Sequence, residues 1–377
     1  MKKRLVAVTM AAVMAAGTFG VTVPVYAKDD SSFTIGARFP VTIDQMQQQT
    51  MDNITQLVEA AGGELLVENA ALTPEGNIQA YERLIAAGVD GLVVIPAADS
   101  VLPRIKEMCE DAEIPWSVYY RSILDEDIKK EVESSEYYLG NTYEDEIMAG
   151  YNLTAKMGEA GCKNIVLFST ALGDTTGAQR EEGMNQACEE YGIEVINEFR
   201  ATAQASDAAQ SIESVLTTHP EVDGIFIAAG TITPGILPAI TSVLDQYGRD
   251  DVKITIIDYP QGLQDAFADG YMLAACGGHN VTDPLFATSL VLNKIKGTPL
   301  SEEAFSVRIN QMILESEEDV VNYFKYCESG VPTYTPDEAK EMLFKWENDE
   351  VTQESFLKVA EEYTIDSVIE RHKGLVD

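Results

Sequence analysis

The chain has 377 residues, 45% of them hydrophobic, with 62 acidic against 26 basic side chains and a formal net charge of −36. So acidic a surface repels nucleic acid and anionic lipid while favouring solubility, which excludes nucleic-acid partners and leaves the ligand open. The five cysteines follow neither a zinc spacing nor a disulfide framework; Cys162 and Cys188 are one possible bridge, and buried free thiols are the other reading.

Met1-Lys2-Lys3-Arg4 precedes the apolar run "LVAVTMAAVMAAGTFGV" and the small-residue exit "VYA". Basic, apolar and small-residue regions in this order predict a secretory signal peptide over 1–27, cleaved after Ala27. No cysteine stands at the cleavage point to take a lipid, and no later segment approaches a membrane-spanning apolar stretch. The expected product is exported and soluble, in the periplasm or on the extracytoplasmic face. Residues 28–377 are long enough for two domains of about 100–200 residues each.

"FTIGA" is the first predicted strand, followed by a helix with Ile43, Met46, Thr50, Ile54, Leu57 and Ala61 at three- and four-residue spacing. "ELLVENA" is the next strand, and Ile78, Tyr81, Leu84 and Ile85 mark a helix that ends at Gly88. "DGLVVIPA" is a continuous apolar run, as in strands buried on both faces of a parallel sheet. A helix from Val101 to Ala112 leads to "IPWSVYY" and "EYYLGN". Strands alternating with helices predict a doubly wound parallel α/β lobe.

The pattern then starts again. "NIVLFS" echoes "FTIGA", "EYGIEVINE" echoes "AAGGELLVEN", and "HPEVDGIFIAAG" echoes "AAGVDGLVVIPA", with VDG at 89–91 and at 222–224. "VKITIIDY" echoes "IPWSVYY", and "LAACGGHN" echoes "YYLGN". Echoes in one order, at a slowly drifting offset, predict two copies of one α/β lobe. A helix from Thr282 to Lys296 and the short strand "FSVRIN" follow, and beyond Glu315 an acidic, helical tail reads as an appendage, with one helix capped near Thr335–Pro336.

Ligands of open α/β sheets lie beyond the carboxyl ends of the strands. That rule nominates "RFPVTIDQMQ", Ala97, Asp99, Tyr120 and Arg121 in the first lobe, and "TALGDTTGAQR", "RATAQ", "GTIT" and "DYP" in the second. Catalytic signatures are missing: there is no GxSxG elbow, no HExxH, no P-loop and no GxGxxG after either lobe's first strand. His219 reads as a turn or cap residue, and His372 lies in the tail. Cys276 and His279 in "AACGGHNVTDP" suggest half a metal site, a nucleophile with its base, or a hinge. The echo with "YYLGN" favours the hinge, with Gly277 and Gly278 giving backbone freedom.

Over residues 33–312 the chain closely resembles the type I periplasmic (solute-) binding proteins, near the ribose and galactose binders. The likeness is carried most specifically by "GAQREEGM" (177–184), "TTHPEVDGIFIA" (217–228), "ITIID" (254–258) and "LVLNKIKG" (290–297). The resemblance implies two Rossmann-like lobes joined by three crossings, near Gly140–Asn141, His279–Asn280 and Arg308–Gln311, around a cleft that closes by hinge motion. Residues 28–140 with 280–308 would form the first lobe, 141–279 with 309–315 the second, and 316–377 a helical extension.

Residue by residue, the resemblance assigns ligand contacts to Arg180, to Asp258, to Arg121 in the Tyr120–Arg121 pair, and to His279 at the second crossing. Departures stand at Asp44, Met46 and Gln47, where the family has an asparagine and two stacking aromatics, at Gln204 for a phenylalanine, and within Ala229-Gly230-Thr231, which replaces the usual asparagine. Arg121, Arg180 and Asp258 suit charge-assisted bonds to hydroxyls, about 1.5–3 kcal/mol each when buried and matched. The thinned stacking walls count against a plain aldopyranose, with Met46, Phe39, Tyr120 and Tyr259 as apolar cover. The function implied is capture of a small polar solute, most simply a sugar, for an ABC permease, by a monomer that needs no metal, cofactor or catalytic residue. A sensory receptor of the same fold, serving chemotaxis, two-component or autoinducer-2-type signalling, is the alternative.

Overall fold

A computed structural model describes residues 32–376 apart from Asp44 and Ser329. The signal peptide and the ligand role of Asp44 therefore lie outside the described residues. The first half runs β1 (Thr34–Phe39), α1 (Gln45–Ala60), β2 (Glu64–Asn69), α2 (Pro74–Ala86), β3 (Gly91–Val94), α3 (Leu102–Ala112), β4 (Trp116–Val118), α4 (Glu126–Glu133) and β5 (Tyr138–Glu144). The second runs α5 (Glu146–Glu159), β6 (Asn164–Ser169), α6 (Thr175–Tyr191), β7 (Glu194–Arg200), α7 (Ala205–Thr218), β8 (Gly224–Ile227), α8 (Ile236–Tyr247), β9 (Lys253–Ile257), α9 (Leu263–Ala268) and β10 (Met272–Gly277). After α10 (Asp283–Ile295), β11 (Phe305–Ile309) joins the first sheet and β12 (Met312–Leu314) the second.

Each sheet has six strands, ordered β11-β5-β4-β3-β1-β2 and β12-β10-β9-β8-β6-β7. Every echoed segment thus takes the same place in both sheets. All pairings are parallel except β12, which runs antiparallel to β10. The apolar runs behave as their composition dictates: all four residues of β3 and all four of β8 are buried at the sheet centres. Helix starts are fixed locally, with Asp145, Asp174 and Thr73 side chains accepting from free backbone N–H groups of α5, α6 and α2.

Two expectations need correction. The chain does not leave the first sheet at Gly140–Asn141, because β5 pairs with β11 from Gly140 opposite Phe305 through Glu144 opposite Ile309. Gly140 serves close approach instead: a Cβ there would lie 1.9 Å from the Phe305 carbonyl oxygen. The crossings follow Glu144, Gly277 and Ile309, and Gly278 at the second has φ +77°.

The tail is not an appendage. Its helices α11 (Glu317–Cys327), α12 (Pro336–Met342), α13 (Gln353–Glu361) and α14 (Ile365–His372) bury Tyr323, Leu343, Phe344, Phe356, Tyr363 and Val368 in a core continuous with that of the lobes. Burial of each such side chain stabilises by about 1.5–3 kcal/mol. The tail also spans the hinge. Gln49 of α1 donates to the Cys327 carbonyl at 2.7 Å, and Asn293 of α10 to that of Leu343 at 2.9 Å. The Tyr363 hydroxyl donates to the Gly278 carbonyl at 2.9 Å, while Tyr323 packs edge-on against Tyr259 of the second lobe. Amphipathic periodicity shows that these helices bury a face but not which surface receives it.

All five cysteines are buried and free. Burial raises the Cys162 and Cys188 thiols to about 11, so neither carries appreciable thiolate near neutrality.

Candidate ligand-binding cleft

The carboxyl ends of both sheets face one cleft between the lobes. Its inner cavity holds about 570 Å³ and is lined by Arg38, Phe39, Met46, Gln47, Tyr120 and Arg121 from the first lobe. Thr170, Asp174, Arg180 and Asp258 line it from the second, with Glu144 and His279 at the crossings. An adjoining space of about 690 Å³ shares Tyr120, Arg121, Glu144 and Asp174 and reaches Asp99. The inner cavity alone is in the range of small-molecule sites, about 300–1,000 Å³.

The fourth strand of each sheet ends in the same uncommon backbone. Tyr120, beyond β4, and Asp258, after β9, have φ of 62° and 74°, in the left-handed region. Non-glycine residues held there cluster at functional sites because the surroundings must hold them in place. The Tyr120 N–H donates to Asp283 Oδ1 at 3.0 Å, and the Asp258 N–H to the Cys276 carbonyl at 2.8 Å. Asp258 also accepts from the Thr231 hydroxyl at 2.8 Å.

Arg180 is more committed than its sequence context implies. Its Nε and Nη2 donate to the two oxygens of Glu146 at 2.7 and 2.8 Å, and its Nη1 to the Ala228 carbonyl at 2.7 Å. Both partners of this ion pair are buried. Burial opposes the guanidinium's charge, but the Glu146 carboxylate outweighs it and raises the pKa above the ordinary value. Arg180 touches the cleft while bracing α6 against the start of α5.

At the crossings lies a buried polar cluster. His279 Nε2 stands 2.9 Å from Glu144 Oε1, with both side chains nearly solvent-free. Burial works against both charges, yet each is favoured by the other: the Glu144 pKa falls well below the usual carboxylate range, and that of His279 rises. Asp283 goes the opposite way. Burial first, then the adjacent Glu144 charge, pushes its carboxyl pKa well up. Cys276, buried at the second crossing, meets Gln311 Oε1 at 3.1 Å, and burial raises its thiol pKa.

Met46, Gln47, Tyr120, Arg121, Arg180, Asp258 and His279 therefore come together around the cavity. Thr231 is exposed and bonds to Asp258, and Gln204 is exposed as the N-cap residue of α7; neither lines the cavity. Tyr259 gives the cleft no cover, because its hydroxyl donates to the Met312 carbonyl at 2.7 Å and its ring packs on the tail. Sequence reasoning missed Arg38, Glu144, Glu146, Thr170 and Asp174. The strand-end rule reached Arg38 in "RFPVTIDQMQ" and Thr170 and Asp174 in "TALGDTTGAQR" but did not single them out. Glu144 and Glu146 were hidden by placing the first crossing too early.

Comparison with known proteins agrees with this architecture. The ribose import binding protein RbsB of Salmonella typhimurium is 24% identical over 223 residues, 59% of this chain and 71% of that protein. Its Escherichia coli counterpart is 23% identical over the same share. Among solved structures, an ABC transporter periplasmic solute-binding protein from Actinobacillus succinogenes with bound D-allose superposes with a TM-score of 0.63 at 19% identity, covering 77% of this chain and 100% of that one. A solute-binding protein from Bacillus halodurans with bound myo-inositol gives 0.61 at 20%, covering 79% and 99%. The periplasmic binding protein domain family matches residues 35–281. With two like sheets, three crossings and a cleft at the strand ends, the chain belongs to the type I periplasmic binding proteins.

Proposed function

We propose that the protein is an extracytoplasmic solute-binding protein that captures a small polyhydroxylated ligand, a sugar or close relative, and delivers it to an ABC importer. The observation that carries this reading is the cavity of about 570 Å³ whose polar groups come from both lobes and from the crossings between them. Relatives named for ribose import, and neighbours holding D-allose and myo-inositol, support a sugar-like ligand.

Capture follows from the geometry. Arg121 and Asp258 sit on opposite walls, so a solute that satisfies both is held best when the lobes approach. A ligand favours the closed form only through contacts that both lobes make together. Closure then presents a composite surface to a permease. Arg180 with Glu146, and His279 with Glu144, hold each other in ion pairs beside the cavity. Transport and sensing share this capture step and differ in the membrane partner that reads the closed form. Uptake of labelled ligand, lost on deletion of the gene, separates them.

The test is native mass spectrometry of the purified protein followed by isothermal titration against sugars, cyclitols, nucleosides and amino acids. One bound sugar or cyclitol per chain is expected. Saturable binding of none of these solutes overturns the reading.

A further inference from the structure

The arginines of the cleft are not equivalent. Arg180 carries its own carboxylate, Glu146. Arg38, near the end of β1, is 3% exposed and meets no carboxylate among the described residues: one Nη2 bond goes to the Ala70 carbonyl, and Nε has no partner. Burial works to lower its pKa. Arg121 likewise forms no ion pair among the described residues, its Nη1 donating to the Tyr120 carbonyl at 2.9 Å. Arg38 and Arg121 line the same cavity beside the buried Tyr119, all three from the first lobe.

The facing wall has the opposite character. Asp258 is bonded to the Thr231 hydroxyl, and Asp174 caps α6 by accepting from the Gly177 N–H at 2.7 Å. Neither forms an ion pair among the described residues. A cation buried without a counter-charge is unfavourable and persists where something else provides the charge. A guanidinium's planar fork matches a carboxylate far better than a hydroxyl. Hydroxyl groups, as donors, suit the carboxylates opposite.

We propose that the ligand is a sugar acid, a polyhydroxylated carboxylate whose charged end lies against Arg38 and Arg121 and whose hydroxyls face Asp258. This rests on the solute-capture reading above and narrows it to a chemical class. The departures from the aromatic stacking pattern at Met46 and Gln47 fit the same assignment, because recognition shifts from a flat apolar ring face to charge.

Matched pairs differing only in the carboxylate provide the test: D-galacturonate against D-galactose, and D-glucuronate against D-glucose, by isothermal titration. The acid of at least one pair is expected to bind about tenfold or more tighter than its neutral partner, as one charge-assisted contact supplies. Arg38→Gln should remove most of that preference, weakening the acid far more than its neutral partner, and leave the melting temperature of the ligand-free protein unchanged or higher. If that variant does not fold, Arg121→Gln must show the same loss of preference. Neutral sugars binding as tightly as their acids overturn the sugar-acid assignment and leave solute capture standing. Equal losses for acid and neutral sugar in the variants also overturn it. An amino acid captured in place of every sugar and acid overturns both readings.

Discussion

At the end of its fourth strand each lobe turns through a left-handed residue, Tyr120 in the first and Asp258 in the second, and there the likeness stops. In the first lobe the turn leads into Arg121, which lines the same cavity as the unpaired Arg38. In the second, the turning residue is itself a carboxylate, while the one arginine of that wall is neutralised by Glu146. The duplication has kept a backbone geometry and exchanged its chemistry. On the sugar-acid proposal, two copies of one fold present a cationic and an anionic wall to a single ligand, which a symmetric pair of walls cannot orient.

The tail breaks the symmetry most strongly, and its removal should have the largest effect. Truncation after Glu315 exposes Phe344, Phe356, Tyr363 and their neighbours. It should abolish a cooperative thermal transition, read by circular dichroism. A truncated protein that melts cooperatively and still binds solute would restore the appendage view.

Next in size is Arg180→Ala, which leaves Glu146 buried without its partner. Loss of one member of such a pair costs about 3–5 kcal/mol. Denaturant unfolding of the ligand-free protein should show it. Unchanged stability with weakened binding would instead make Arg180 a ligand arm, removing the contrast with Arg38. Asp258→Asn should do the reverse, weakening solute binding by about 1.5–3 kcal/mol with little change in ligand-free stability. Equal destabilisation of the empty protein would mark Asp258 as a structural residue.

The smallest expected effect is at the crossings. The pKa of His279 is raised on folding, so its contribution is fully present below its ordinary value of 6.5 and is lost as pH climbs through the higher folded value. Asp283, also raised, pushes the same way from its ordinary 3.8 upward. Glu144 is depressed, so its contribution is present above 4.5 and lost as pH falls toward its lower folded value. Ligand-free stability measured from pH 6 to 9 should decline with pH, by about 1.4 kcal/mol for every factor of ten by which folding tightens the hold of His279 on its proton. His279→Gln should flatten that decline. An identical slope in the variant would show that the pair does not titrate with folding.

The fold was largely legible because its signals are local and repeated. VDG recurs at 89–91 and 222–224, and the runs it introduces are buried throughout as β3 and β8. The first crossing was not, since Thr142, Tyr143 and Glu144 look like the polar exit from a strand. Only pairing with β11, more than 160 residues away, shows that the strand continues. The site was half legible for a related reason. Strand-end position finds which residues reach the cleft, and so found Arg121 and Asp258. It does not tell which are already occupied. Arg180 looks available in the sequence but is held by Glu146, Tyr259 turns to the tail, and Gln204 stands exposed at the start of α7.

The most direct test of joint capture by two unlike walls is titration of Arg38→Gln, Asp258→Asn and their double variant with the tightest-binding solute of the panel. Weaker binding in each single variant, and none detectable in the folded double variant, is the expected result. Undiminished binding in the double variant would contradict it, because the solute would then be held somewhere other than between these walls.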